Sequence, residues 1–122
     1  MVMLLVALCG GLGAVARFVV DGLIRGRVRS IGSIGTLIIN VTGAIALGII
    51  AGLVAAHVAQ PDWQIVIGTG FLGGYTTFST TSFETVRLIQ QGRFSLAVGL
   101  GLLQLSLALA GAAGGFAVGL SL

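Results

Sequence analysis

GTGFLGGYTTFSTTSFE, residues Gly68–Glu84, holds four glycines and seven serines or threonines inside a run that is otherwise apolar enough to span a membrane. Glycine weakens a helix interior by about 1 kcal/mol relative to alanine, and a hydroxyl in hydrocarbon needs a hydrogen-bond partner. Non-helical backbone at membrane depth persists only where protein buries it or where it lines a cavity. The stretch therefore reads as a helix interrupted between Gly73 and Thr77. Glycine-interrupted spans point to ion or substrate sites. Close helix packing through small residues is the simpler reading, and it accounts for the glycines but not for the hydroxyls beside them. Gly68–Gly73 also match G-x-G-x-x-G, after the strand-like residues 63–67. A dinucleotide site needs a soluble βαβ unit and an acid about 20 residues further on, and the chain supplies neither.

Around this segment the composition is that of an integral membrane protein. Of the 122 residues, 57% are hydrophobic and 7% charged, against roughly 25% charged in a soluble domain. Mean hydropathy is +1.16. A span needs about 20 mostly apolar residues. Four segments qualify, at about 2–24, 34–56, 64–89 (broken around 73–77) and 94–120, in a single membrane domain over 1–122. The first run has no positive segment ahead of it and reads as a span rather than a signal peptide. The segment from His57 to Asp62 carries the only proline, Pro61, and forms a turn. Trp63 follows it, where an interfacial tryptophan is expected. The predicted fold class is all-α and membrane-embedded, with four transmembrane helices and the third broken near its middle.

The charges give an orientation. All six basic residues are arginines. Arg25, Arg27, Arg29 and Arg93, with Arg87 close by, fall on one side of the membrane. The termini and the His57–Asp62 turn fall on the other and carry no arginine. The positive-inside rule makes the Arg25–Ser33 loop cytoplasmic and places both termini outside. So few basic residues leave no exposed basic face for nucleic acid. One His, one Cys and three separated acids form neither a metal-ligand set nor a nucleophile–base pair, so an enzyme is not expected. Cys9, alone in an apolar helix, reads as a small hydrophobe. Arg17 and Asp21 are four residues apart and are expected to pair on one face of the first helix.

Candidate polar groups on a pathway are few. Asn40, with Thr36 four residues before it on the same face, is the strongly polar residue of the second span. Its amide carries two N–H donors, which suits an anion; an ordinary interhelical hydrogen bond is an equal reading. Gln104 and Ser106 are similarly placed in the last span. Phe78 stands among hydroxyls, and a ring has a positive edge that can meet an anion.

These motifs together resemble the Fluc (CrcB) fluoride channels. The likeness rests on GGLGAVARF (Gly10–Phe18), GTLIINVTGA (Gly35–Ala44) and GFLGGYTTFSTTSFE (Gly70–Glu84), in that order. The resemblance implies a dimer of four-helix subunits packed antiparallel in the cell membrane. It also implies passive, fluoride-selective conduction that relieves fluoride toxicity. A structural sodium ion at the dimer interface would be held by the backbone carbonyls of Gly73 and Thr76. Fluoride would pass Asn40, Phe78, Ser79 and Thr80, with Thr36 and Ser106 less securely assigned. Arg17 and Glu84 match structural charges of the family. The chain departs from the pattern at Thr81, where a second phenylalanine is usual, and at Leu102, where a tyrosine is common. An antiparallel homodimer needs subunits that insert both ways, so the arginine bias suits a heterodimer with an oppositely oriented homologue. The partners expected are therefore fluoride, lipid and a second subunit. Competing readings are a small proton-coupled multidrug exporter, which needs a carboxylate deep in a span, and a non-conducting structural subunit of a channel pair.

Overall fold

An apolar segment in hydrocarbon must satisfy its own backbone, and a helix does so within one segment. The computed structural model describes residues 1–27 and 33–122, and follows this rule everywhere but at one break. In chain order it forms α1 (Val2–Arg27), α2 (Ser33–Ala55), one turn α3 (Pro61–Trp63), a π-helix π1 (Gln64–Leu72), one turn α4 (Gly73–Tyr75), α5 (Ser79–Gln90) and α6 (Phe94–Ser121). Among the described residues there is no strand, and residues 63–67 are helical, which removes any βαβ context for the Gly68–Gly73 motif. Most of the expected Arg25–Ser33 loop, Arg29 included, lies outside the described residues. Arg25 and Arg27 instead form the last turn of α1, where cations suit the helix dipole.

Among the described residues, three helices are long and apolar enough to cross a membrane: Val2–Arg27, Ile34–Ala55 and Phe94–Ser121. The remaining hydrophobic segment is built from α3, π1, α4 and α5. It leaves helix at Thr76, whose ψ of 160° is extended, and resumes at Ser79. The interruption thus lies at Thr76–Phe78, toward the C-terminal side of the interval expected from sequence. Gly73 and Gly74 stay helical, and Gly74 serves another purpose. A Cβ on Gly74 would run into the Gly10 carbonyl, and one on Gly13 into the Phe71 carbonyl. These glycines let α1 lie backbone to backbone against π1 and α4. The pairing of α2 with α6 works in the same way: Gly48 and Gly52 of α2 face Ala112, Phe116 and Gly119, while Gly115 and Gly119 of α6 face Ile45 and Ile49.

The interior is small. Ile39, Leu72 and Ala97 are the buried hydrophobic residues among those described, while Phe18 and Leu109 are 80% and 63% exposed. Apolar surface of this extent requires lipid or another chain to cover it.

The two turns share one device. After α2, His57 N–H reaches Val54 O and Val58 N–H reaches Leu53 O; after α5, Gly92 N–H reaches Ile89 O and Arg93 N–H reaches Leu88 O. Both are Schellman caps, which need a left-handed residue at the cap. Gly92 takes φ 75° without penalty, but His57 is held at φ 60°, where a side chain costs about 1–2 kcal/mol. His57→Gly is therefore expected to stabilise the protein by about 1 kcal/mol, read as a raised thermal midpoint in detergent; an unchanged or lowered midpoint would contradict the strain. Pro61 then opens α3 as its first residue, the helical position that proline suits.

Candidate functional site

An interrupted helix exposes backbone groups that the ladder would have used, and here a single side chain takes both the N–H and the carbonyl of one residue in the break. Asn40, projecting from the N-terminal half of α2, accepts the Thr77 N–H at Oδ1 (2.9 Å) and donates from Nδ2 to the Thr77 carbonyl (2.9 Å). The same Nδ2 donates to Thr81 Oγ1 at 3.2 Å. The Thr77 hydroxyl accepts the Thr80 N–H at 3.2 Å, the bond by which a threonine caps a helix start. On the other side of the break, Arg17 of α1 donates from Nε to the Gly74 carbonyl at 3.2 Å.

Arg17 does not pair with Asp21 as expected. Asp21 binds Arg25 instead, Oδ2 to Nε at 3.0 Å, because an acid placed N-terminal to its base is the better order at i, i+4. Arg17 is left to reach the break. Among the described residues, buried Asp21 Oδ1 has no hydrogen-bond partner; it lies beside Gly35 in the first turn of α2, where a helix N-terminus favours negative charge.

Beside the break lies an open pocket of about 620 Å³ between α2, the broken segment and α6. Its polar lining comes from Asn40, Thr76, Thr77, Thr81 and Gln104, with Gly73 and Phe78 on its wall; the rest is apolar, including Leu47, Leu72 and Leu105. A second cavity of about 20 Å³ follows, bordered by Thr81, Glu84 and Gln104, room for about one water. Thr81 and Gln104 line both, and Gln104 Nε2 donates to Thr81 Oγ1 at 3.2 Å.

The sequence-expected residues separate into groups. Asn40, Gly73, Thr76 and Phe78 meet at the pocket. Phe78 is 84% exposed, so its ring stands clear of the subunit's own packing. Thr36 is 2% exposed and donates to Glu84 Oε1 at 3.1 Å, which ties α2 to α5. Ser79 is exposed and Thr80 half-buried; both face the Thr77 hydroxyl, at 3.3 and 3.2 Å. Ser106 is exposed on α6 and is not among the residues lining the pocket. Sequence reasoning gave Thr81 no positive role and left Gln104 undecided. The available signal was a glutamine in an apolar helix beside a hydroxyl-rich one, without the register that joins them.

Residues 4–116 match the family model described as CrcB-like protein, Camphor Resistance (CrcB). The chain is 50% identical over 113 residues to the fluoride-specific ion channel FluC 1 of Leifsonia xyli subsp. xyli, covering 91% of this chain and 82% of that one. It is 49% identical over 88 residues to FluC 2 of Cutibacterium acnes, covering 71% and 72%. With FluC 3 of Bifidobacterium longum it shares 36% identity over 115 residues, covering 94% and 95%. With the family model spanning nearly its whole length and the helix break in the segment where the motifs concentrate, this chain belongs to the CrcB-like family.

Proposed function

We propose that the chain is a subunit of a passive, fluoride-selective channel in the cell membrane that lets cytoplasmic fluoride out. The observation that carries this reading is the break at Thr76–Phe78, whose hydroxyls and amides border an open pocket where an unbroken apolar helix would have presented only side-chain hydrocarbon. The names of its relatives supply the ion. Fluoride is small and strongly hydrated, so a pathway must replace its water with hydrogen-bond donors. Hydroxyls, amides and the edge of Phe78 do this without a fixed positive charge, keeping binding weak enough for release. Hydrogen fluoride enters a cell as a neutral acid and ionises; a negative-inside potential then drives the anion outward. No chemistry is catalysed. Thr36, Ser79, Thr80 and Ser106 would extend the hydroxyl track on either side.

The broken segment serves as the fourth crossing, and a second subunit packs antiparallel over the apolar exterior and the exposed Phe78. A sodium ion would sit at that interface. The C-terminal carbonyls of an interrupted helix lack intrahelical partners, and hard cations take oxygen ligands; Gly73 and Thr76 would supply them. The arginines on one side only put the Arg25–Ser33 loop in the cytoplasm and the termini outside, and this fixed orientation suits pairing with a homologue of opposite bias. The exporter alternative needs a carboxylate free deep in a span, and Asp21 is engaged by Arg25 near the end of α1.

The test is fluoride release from liposomes holding the purified chain, alone and with a co-expressed homologue of opposite arginine bias, followed with a fluoride electrode after adding a potassium ionophore. Fluoride efflux without matching chloride efflux is expected, faster with the partner. No fluoride release under either condition overturns the channel reading. Proton flux driven by a hydrophobic cation would favour an exporter.

A further inference from the structure

The hydrogen bonds at the pocket assign its amides different tasks. A carboxamide has two N–H donors and one acceptor oxygen. Both donors of Asn40 are engaged, by Thr77 O and Thr81 Oγ1, and its oxygen holds the Thr77 N–H. The Thr81 hydroxyl is equally committed: it accepts from Asn40 and from Gln104 and donates to Thr77 O at 3.3 Å. Gln104 uses one N–H on Thr81, and among the described residues its second N–H has no protein acceptor. This half-buried side chain borders both the large pocket and the small cavity toward Glu84.

We propose that Gln104 is the amide that donates to the passing anion in this chain, and that Asn40 and Thr81 are positioning residues that hold the break and aim it. The proposal rests on the channel reading. It places the donor at the junction of the two cavities, where an anion leaving the wide pocket loses its remaining water. Thr81 keeps the Gln104 amide plane fixed through one N–H, so the other is presented without a rotamer search. Binding through such a preorganised neutral donor adds selectivity for a small, hard anion without trapping it.

Two measurements test it. Gln104→Leu keeps the side-chain bulk but removes the donor, and a hydrogen bond to an ion is worth enough that fluoride efflux should slow about tenfold or more. In nanodiscs, titrating sodium fluoride against sodium chloride should shift the Gln104 side-chain amide proton and nitrogen resonances and leave those of Asn40 in place. The titration uses the unmutated chain, so it decides the matter even where Gln104→Leu does not reconstitute. Wild-type efflux from Gln104→Leu, or a fluoride-dependent shift at Asn40 with none at Gln104, overturns the inference and leaves the channel reading standing. A wild-type chain that releases no fluoride with or without a partner removes both.

Discussion

Asn40→Asp is expected to reduce fluoride efflux by at least a factor of about one hundred. The substitution removes both Nδ2 donors, which hold Thr77 O at 2.9 Å and Thr81 Oγ1 at 3.2 Å. A carboxylate oxygen then faces the Thr77 carbonyl, acceptor against acceptor. A fixed negative charge also enters the pocket wall. At about 4 Å and an effective dielectric of about 20, repulsion between unit charges is about 4 kcal/mol, enough for a factor of several hundred in the occupancy of an anion. Asn40→Ala separates the two contributions. It adds no charge, yet it leaves the Thr77 N–H without a partner beside the break, at roughly 1–3 kcal/mol, and leaves the Thr77 carbonyl with only the Thr81 hydroxyl as donor among the described residues. The alanine variant should melt well below wild type in detergent, and the aspartate variant should add an electrostatic block to that loss. Efflux from Asn40→Asp at the wild-type rate would mean that the pocket beside the break is not on the ion's route.

The second large effect is expected at Gly13. Its neighbours across the contact of α1 with π1 and α4 are the Phe71 carbonyl and the Tyr75 N–H. Backbone atoms cannot rotate away as a side chain can, so even one methyl group forces α1 off the broken segment. Overpacking of this kind costs about 1–3 kcal/mol, occasionally more, and here it also pulls Arg17 from the Gly74 carbonyl. Gly13→Ala should therefore lower the thermal midpoint and impair fluoride release together. Gly11→Ala is the comparison: nothing lies within 4 Å of a Cβ there, and alanine raises helix propensity by about 1 kcal/mol. Equal melting of the two variants would disprove the close approach of α1 to the break.

The role of Thr81 illustrates the limit of reading pattern. Against the family motif it looks like the loss of an aromatic ring. In the fold it is a hydroxyl bonded by Asn40 from α2 and by Gln104 from α6, residues 41 and 23 positions away. Arg17 is similar. Helical spacing offers it Asp21, but α1 turns it toward a carbonyl 57 residues along the chain.

Apolar content, span length and the sparse charges were sufficient to make this a helical membrane protein, since continuous apolar runs of about 20 residues satisfy their backbone in hydrocarbon as helices. The cluster of glycine and hydroxyl residues marked where helix would fail, because glycine weakens a helix interior and hydroxyls offer the backbone local alternatives to the helical ladder. Which residue closes that failure, where the helix parts to within one residue, the π-helical widening over Gln64–Leu72 and the exposure of Ser106 all depended on the register between helices. That register is set by backbone contacts among glycines far apart in sequence, and spacing along one chain carries no record of it.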